Sequence, residues 1–343
     1  MLSASRPSFG SLTLRVAALN LPHMETILLI TPDFLLIILG AALAARFGFG
    51  ESFWRSGEKL VFYVLFPPML FTSIATASVT LEAASHFVLA GVVTMLLGVL
   101  SAAVVRFTIP GDPVTHASIF QCGFRYNSYI GVALAARLFG NEGSALLALL
   151  IAVWVPISNA IAVAVLAHAV AKRDASNGHL AGRRPSVLIS TVRAVVGNPL
   201  IIATLLGLLF NTLGVKLPGV ALATLKHLGS ASLAMGLLCI GAGMRLGALR
   251  SCGLLLAAAA FQRLILVTIG GLLVLHFMPL AALPAGVVIL FASLPTAQSC
   301  YVMTANMRGD AAAVANLTTL QTLASMITLP IWIELLIAPL GTG

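Results

Sequence analysis

Long apolar stretches fill most of the chain, and short runs of charged and turn-forming residues separate them. Runs such as LLALLIAV and ATLLGLLF lack the strict alternation of polar and apolar residues that a transmembrane barrel requires. A spanning helix needs about 20 apolar residues, and ten stretches meet this requirement. The pattern therefore predicts an all-α integral membrane protein with ten transmembrane helices. The predicted helices begin near Ile27, Leu60, Ala84, Val114, Ser144, Val187, Val220, Gly253, Ala285 and Ala311.

Two of the apolar stretches contain polar clusters that favour a break in the helix. The first is CGFRYNSYIGVALAARLFGNEG (Cys122–Gly143), and the second is FASLPTAQSCYVMTANMRGDAA (Phe291–Ala312). At a separation of 169 residues the two clusters match, and Asn127 aligns with Thr296. Paired interrupted hydrophobic segments in the two halves of a chain are the best indication that a sequence gives of a transporter's binding site. The pair therefore predicts a carrier.

A similar spacing recurs elsewhere, which indicates an internal repeat. Thr31 and Pro32 match Asn198 and Pro199 at a separation of 167 residues. An odd number of helices per unit makes the second unit enter the membrane from the opposite side, so the repeat is predicted to be inverted. The predicted parts are an N-terminal extension, a five-helix repeat, a cytoplasmic loop and a second five-helix repeat, over residues 1–25, 26–171, 172–186 and 187–343.

The positive charges predict the orientation. Of the Lys and Arg residues in the predicted loops, eleven lie on one side of the membrane and five on the other. Because cytoplasmic loops are richer in Lys and Arg, we expect both termini outside and the central loop (Lys172–Pro185) in the cytoplasm. The chain is expected to be a multi-pass protein of the inner or plasma membrane.

Composition narrows the class of function. Hydrophobic residues make up 59% of the chain and charged residues 8%, with a mean hydropathy of +1.06, which places the chain in lipid. The net charge of +9 reflects the excess of Lys and Arg in the predicted cytoplasmic loops, which would face anionic lipid at the inner membrane surface. No folded domain offers a basic face for nucleic acid. The expected partners are a small organic anion and membrane lipid, and a homodimer is left open.

The sequence lacks three motifs that are typical of hydrolytic enzymes and nucleotide-binding proteins. The chain contains no His-Glu-x-x-His, no Gly-x-Ser-x-Gly and no nucleotide-binding loop, so we do not expect an enzyme or an ATP-driven pump. Its four cysteines lack Cys-x-x-Cys spacing, which favours packing roles over a metal site. Neither a metal nor a cofactor is expected.

The predicted breaks would form a site for an anion. Backbone groups freed at a break inside a membrane survive only where they line a cavity or are covered by protein. The half-helix that begins after each break directs the positive end of its dipole at the gap. Half-helices beginning after Asn127 and after Pro295 would therefore favour a carboxylate. Ser128, Thr296 and Gln298 are candidates either for substrate contact or for helix packing.

Arg125 is a charge inside an apolar stretch, where such residues usually face a cavity or a partner. Its guanidinium could bind a substrate carboxylate bidentately, pair with Asp33, or reach the membrane interface. Asp33 is a candidate for a coupling proton or a structural ion pair, and the sequence Thr-Pro-Asp that ends there also fits a helix-start cap. Arg263 is assigned to the end of its span, which favours an interfacial position.

These residues give the chain a family resemblance. From about Met24 onward it resembles the auxin efflux carrier family, which includes bacterial malonate and malate carriers and the plant auxin exporters. The resemblance is carried by YVLFPPML, FRYNSYIG, SLPTAQSCYVMTANMRGD and TLQTLASMITLP. It implies a ten-helix inverted repeat in which broken helices 4 and 9 cross near the membrane centre. It also implies that carboxylate substrates bind beside the crossing, against Asn127.

The first break departs from the family pattern. Tyr126 stands where other members often have Pro, so this break is expected to depend on Gly123, Asn127 and Gly131. We expect a secondary transporter of small organic anions that works by alternating access. The alternative is a sodium-coupled organic-anion symporter of the bile-acid transporter type.

Overall fold

The computed structural model describes residues 24–77, 81–176, 197–244 and 253–337. Regular secondary structure in these ranges is entirely helical, as predicted. Three of the helices, α2, α8 and α11, contain a π-helical turn. In chain order the helices are α1 (Met24–Arg46), α2 (Glu51–Ala75), α3 (Leu81–Thr108), α4 (Pro113–Phe120), α5 (Ser128–Ser176), α6 (Pro199–Thr212), α7 (Gly219–Ala242), α8 (Leu254–Phe277), α9 (Ala282–Ser293), α10 (Ser299–Asn306) and α11 (Ala311–Ile337).

Six stretches within the described ranges are long and apolar enough to cross a membrane. Large apolar side chains cover their outer faces, such as Leu100 with 63% of its surface exposed, whereas polar side chains such as Thr94 and Gln321 are completely buried. Polar groups inside and apolar groups outside are typical of a membrane protein. The six stretches are Glu51–Ala75, Ser85–Thr108, Pro113–Ser176, Gly219–Ala242, Leu254–Phe277 and Ala311–Ile337.

The helices form two groups. In the first group α1 packs on α7, and α2 packs on both α6 and α7. Gly40 and Gly241 allow α1 and α7 to approach closely, because a Cβ atom at either glycine would collide with a backbone carbonyl of the other helix. In the second group α3 packs on α8 and α9, α4 packs on α5, and α10 packs on α11. Helix α5 also contacts the first group.

Two helix boundaries differ from the sequence prediction. Helix α2 begins at Glu51 rather than near Leu60, because charged and exposed turns extend the helix ahead of the apolar stretch. Those turns include an ion pair of 3.3 Å between Arg55 and Glu51, four residues apart on one helix face. Helix α5 continues to Ser176, so the first residues of the loop predicted over 172–186 are helical.

Helix α5 changes direction at Gly140. The φ angle of this residue is +63°, in the left-handed region that glycine adopts without strain. The bend divides α5 into a segment that follows the first polar cluster and a longer segment that ends at Ser176. Residues 1–23 of the extension predicted over 1–25, the start predicted near Val187 and most of the central loop lie outside the described residues.

Candidate functional site

The helices are broken at both predicted places. Residues 124–127 leave the helical path between α4 and α5, and residues 294–298 do so between α9 and α10. The two breaks touch, because the backbone N–H of Asn127 donates a hydrogen bond of 2.8 Å to the carbonyl of Pro295. We call the two breaks together the junction.

Side chains of neighbouring helices bind the backbone carbonyls freed at the first break. Trp154 donates from Nε1 to the carbonyl of Phe124 at 2.9 Å. Gln262 donates from Nε2 to the carbonyl of Gly123 at 3.3 Å. Because no water is available in the interior of a membrane, these bonds stabilise a break that would otherwise leave polar groups unpaired.

Asn127 caps the start of α5. Its Oδ1 accepts hydrogen bonds from the backbone N–H groups of Tyr129 at 3.1 Å and Ile130 at 3.3 Å. The residue is only 2% exposed, and its Nδ2 is a buried donor without a hydrogen-bond partner among the described residues. An unpaired buried donor costs roughly 1–3 kcal/mol. This amide is therefore available to an acceptor on a ligand.

Side chains of α8 and α11 form hydrogen bonds with backbone groups at the second break. Gln321 accepts at Oε1 the backbone N–H of Thr296 at 3.0 Å. Arg263 donates from Nη1 to the carbonyl of Ala292 at 3.0 Å and from Nη2 to the carbonyl of Phe291 at 3.4 Å. These carbonyls belong to the last turn of α9, where a helix leaves its carbonyls unpaired.

Arg125 lies in the first break and is 8% exposed. It donates from Nη1 to Oε1 of Gln121 at 2.6 Å and from Nη2 to Oγ of Ser299 at 2.9 Å. Because Ser299 begins α10, the guanidinium connects the first break to the helix that follows the second. No carboxylate of the described residues forms an ion pair with Arg125. The junction therefore contains a positive charge without an acidic partner.

The alternative in which Arg125 pairs with Asp33 is wrong. Asp33 instead lies with its Oδ2 at 2.6 Å from Nε of Arg137, on α5. The Asp33 side chain is 6% exposed and that of Arg137 is 36% exposed. The helix-cap interpretation of Asp33 is also wrong, because the residue lies in the interior of α1. The ion pair joins α1 of the first helix group to α5.

The other predicted site residues lie at or beside the junction. Ser128 is half-buried at the first turn of α5, and Thr296 is completely buried with its Oγ1 at 3.3 Å from Sγ of Cys300. Gln298 donates from Nε2 to the carbonyl of Ile240 on α7 at 3.3 Å, so it contacts the first helix group. Substrate contact by each of these residues stays a prediction.

The sequence analysis did not identify two polar residues at the junction and placed a third wrongly. Arg263 is completely buried in the middle of α8, so its assignment to a span end is wrong. Gln262 and Gln321 are also buried, and each binds backbone groups at a break. Their only signal in the sequence is a polar side chain inside an apolar stretch, which does not distinguish a buried face from a membrane interface.

A cavity of about 500 Å³ lies apart from the junction. Its walls come from α2, α3, α5 and α6 and are mostly aliphatic, and they include Ile74, Val92, Leu149 and Leu208. The polar lining residues are uncharged. A carboxylate away from water needs charged or hydrogen-bonding partners, and this mostly aliphatic lining offers few of them.

Comparison with known proteins agrees with the membrane character of the fold. Residues 27–333 match the family model described as membrane transport protein. An uncharacterized transporter of Methanothermobacter thermautotrophicus is 24% identical over 312 residues, which cover 90% of this chain and 96% of the relative.

Proposed function

The chain belongs to the membrane transport protein family, the auxin efflux carriers that its motifs resemble, and we propose that it is a secondary carrier of small organic anions. The substrate class is carboxylates such as malonate, malate or auxin-like acids. The observation that carries this proposal is the junction, where two broken helices meet beside a buried amide donor and guanidinium groups that have no acidic partner in the described parts of the chain. Transport rather than catalysis is the established function of the family.

The donors of the junction fit a carboxylate. Asn127 offers Nδ2, and Arg125 supplies a positive charge that can form the short, strong hydrogen bonds typical of guanidinium and carboxylate groups. Pro295, Thr296 and Ser128 line the same junction, and Gln298 would contribute from its contact with the first helix group. We assign substrate binding to these residues.

The ten-span arrangement completes the proposal. Helices α1, α2, α3, α7, α8 and α11 count as one span each, and α6, with 14 residues, counts as a seventh. The remaining three spans are α4 with α5 up to Gly140, the rest of α5, and α9 with α10. Five spans per half support an inverted repeat, and the junction then lies near the membrane centre.

Alternating access would occur between the two helix groups. The junction belongs to the second group. Polar contacts that connect this group to the first include the ion pair between Asp33 and Arg137, the bond from Gln298 to the carbonyl of Ile240, and the bonds from Asn141 to Ser73 and Thr76 at the end of α2. These contacts would break and re-form as the site faces each side of the membrane in turn.

The test is uptake into proteoliposomes. Radiolabelled malonate, malate and indole-3-acetate are offered while proton and sodium gradients are imposed separately. Accumulation of at least one acid without sodium supports the proposal. An absolute sodium requirement would favour the symporter of the bile-acid type. Uptake equal to that of protein-free liposomes would contradict both functions.

A further inference from the structure

Two adjacent residues of α8 reach both ends of the junction. Gln262 and Arg263 open the π-helical turn at residues 262–266, near the middle of the 24-residue span. Gln262 binds the end of the helical segment before the first break, and Arg263 binds the end of the segment before the second. π-helical turns inside α-helices are frequent at functional sites.

Gln262 is packed tightly against the first break. Its Nε2 donates to Oγ of Ser101 at 2.7 Å, to the carbonyl of Gly98 at 3.1 Å and to that of Gly123 at 3.3 Å. A Cβ atom at position 123 would lie 2.6 Å from both Oε1 of Gln262 and Cβ of Ala102, so a larger residue there would displace the Gln262 amide or α3. The amide therefore fixes where the segment that follows α4 ends.

Arg263 is a completely buried cation. None of the carboxylates described by the structure forms an ion pair with it, and its Nε has no hydrogen-bond partner there. Its compensation is the end of α9, because the last carbonyls of a helix carry the negative end of the helix dipole. A buried charge without compensation is strongly destabilising, so the guanidinium and the end of α9 hold each other in place.

We propose that Gln262 and Arg263 form one positioning element that sets the relative position of the two breaks. The pair does not need to touch the substrate. It acts through the ends of the two segments, and thereby places the amide of Asn127 and the carbonyl of Pro295 opposite each other. The consequence for transport rests on the proposed function, whereas the positioning itself can be measured without a substrate.

Native cysteines report on this positioning. Cys122 directly precedes Gly123, Cys300 lies in the first turn of α10, and both are completely buried. Cys239 is 2% exposed on α7, in the first helix group, and serves as an internal control. A buried thiol reacts with N-ethylmaleimide only when its surroundings open. Labelling at each cysteine can be followed in the purified chain by peptide mass spectrometry.

The variants are Arg263→Met, Gln262→Met and Arg263→Lys. Methionine keeps much of the side-chain length but removes the donors, and lysine keeps the charge with a single donor group. Thr268→Val is the matched control, because Thr268 is buried on the same helix and, within the described ranges, its hydroxyl bonds only to the carbonyl of Leu264 on α8. Thermal midpoints of all variants establish that the labelled protein is folded.

We expect the two methionine variants to raise the labelling rates of Cys122 and Cys300 about tenfold. The loss of one buried hydrogen bond worth roughly 1.4 kcal/mol would shift the opening equilibrium by that factor. Cys239 and the Thr268→Val control should keep the wild-type rates. Arg263→Lys should restore slow labelling in part, and in uptake assays the methionine variants should raise the KM more than they lower the maximal rate.

Unchanged labelling in a folded methionine variant would overturn the proposal. An equal rise at Cys239 would also overturn it, because that result means general loosening rather than displacement of the junction. If Arg263→Met fails to fold, Gln262→Met and Arg263→Lys give the decisive rates. Absence of uptake by the wild-type chain would contradict the proposed function, while the labelling still decides the positioning.

Discussion

The backbone N–H of Asn127 and the carbonyl of Pro295 are joined by a 2.8 Å hydrogen bond that connects the two broken helices. Both residues lie where the chain has left the helical path, so each backbone group would lack a partner without the other. The bond satisfies both breaks at once and brings two distant polar clusters into a single site.

Arg125 is predicted to determine affinity for anions. Arg125→Lys keeps the positive charge but loses the planar fork that binds Gln121 and Ser299 and that would match a carboxylate. We expect a KM at least about tenfold higher, corresponding to the loss of a charge-assisted hydrogen bond, with normal amounts of folded protein. The measurement is concentration-dependent uptake into proteoliposomes with matched protein content. An unchanged KM would remove Arg125 from the substrate site.

The Asp33–Arg137 ion pair predicts an asymmetry between its two partners. Arg137→Ala leaves a carboxylate that is 6% exposed without its cation, whereas Asp33→Asn leaves a guanidinium that is 36% exposed. We therefore expect Arg137→Ala to cost about 3 kcal/mol of stability and Asp33→Asn distinctly less. Thermal midpoints of both variants and of the double variant measure this difference. Equal losses from the two single variants would contradict the account.

Asp33 also remains the candidate for a coupling proton. If it carries that proton, Asp33→Asn should transport substrate equally well with and without an imposed proton gradient, because asparagine does not titrate. The wild-type chain should respond to the gradient. A normal gradient response in Asp33→Asn would leave Asp33 with the structural pairing alone.

The orientation of the chain is predicted from its loops. Ser176 is exposed at the end of α5, next to the central loop expected in the cytoplasm. A Ser176→Cys variant should resist a membrane-impermeant thiol reagent in intact cells and react after permeabilisation. Labelling in intact cells would reverse the predicted topology. The three buried cysteines of the described ranges serve as the background, which is measured in the unaltered chain.

The sequence predicted the breaks because their causes are local. Asn127 and Pro295 are residues that interrupt a helix or cap its start, and each stands inside an apolar stretch of spanning length. The helical class followed from the same apolar stretches. Neither inference required knowledge of which helices touch.

The parts that were missed depend on tertiary contacts. Gln262 binds a carbonyl 139 residues away in the chain, and no periodicity in α8 indicates that partner. The sequence suggested Arg125 as a partner for Asp33, whereas the packing of α1 on α5 places Arg137 beside it. A charge in an apolar stretch thus indicates a partner without identifying it.

The central claim is that the junction is the anion site. Substitutions of Asn127 can test this claim separately from folding, because they can remove its Nδ2 donor and keep its helix cap. Serine is also a good N-cap, so Asn127→Ser should keep the start of α5 intact while it removes the free Nδ2 donor. Asn127→Ala removes both functions and should lose about 1 kcal/mol of stability in addition.

The most direct measurement is therefore uptake of the transported acid by wild-type and Asn127→Ser proteoliposomes with equal protein incorporation and equal thermal midpoints. We predict that Asn127→Ser transports at least about tenfold more slowly than the wild-type chain, because a buried donor at a binding site contributes roughly 1–3 kcal/mol. Uptake by Asn127→Ser at the wild-type rate would contradict the account and place the substrate away from the junction.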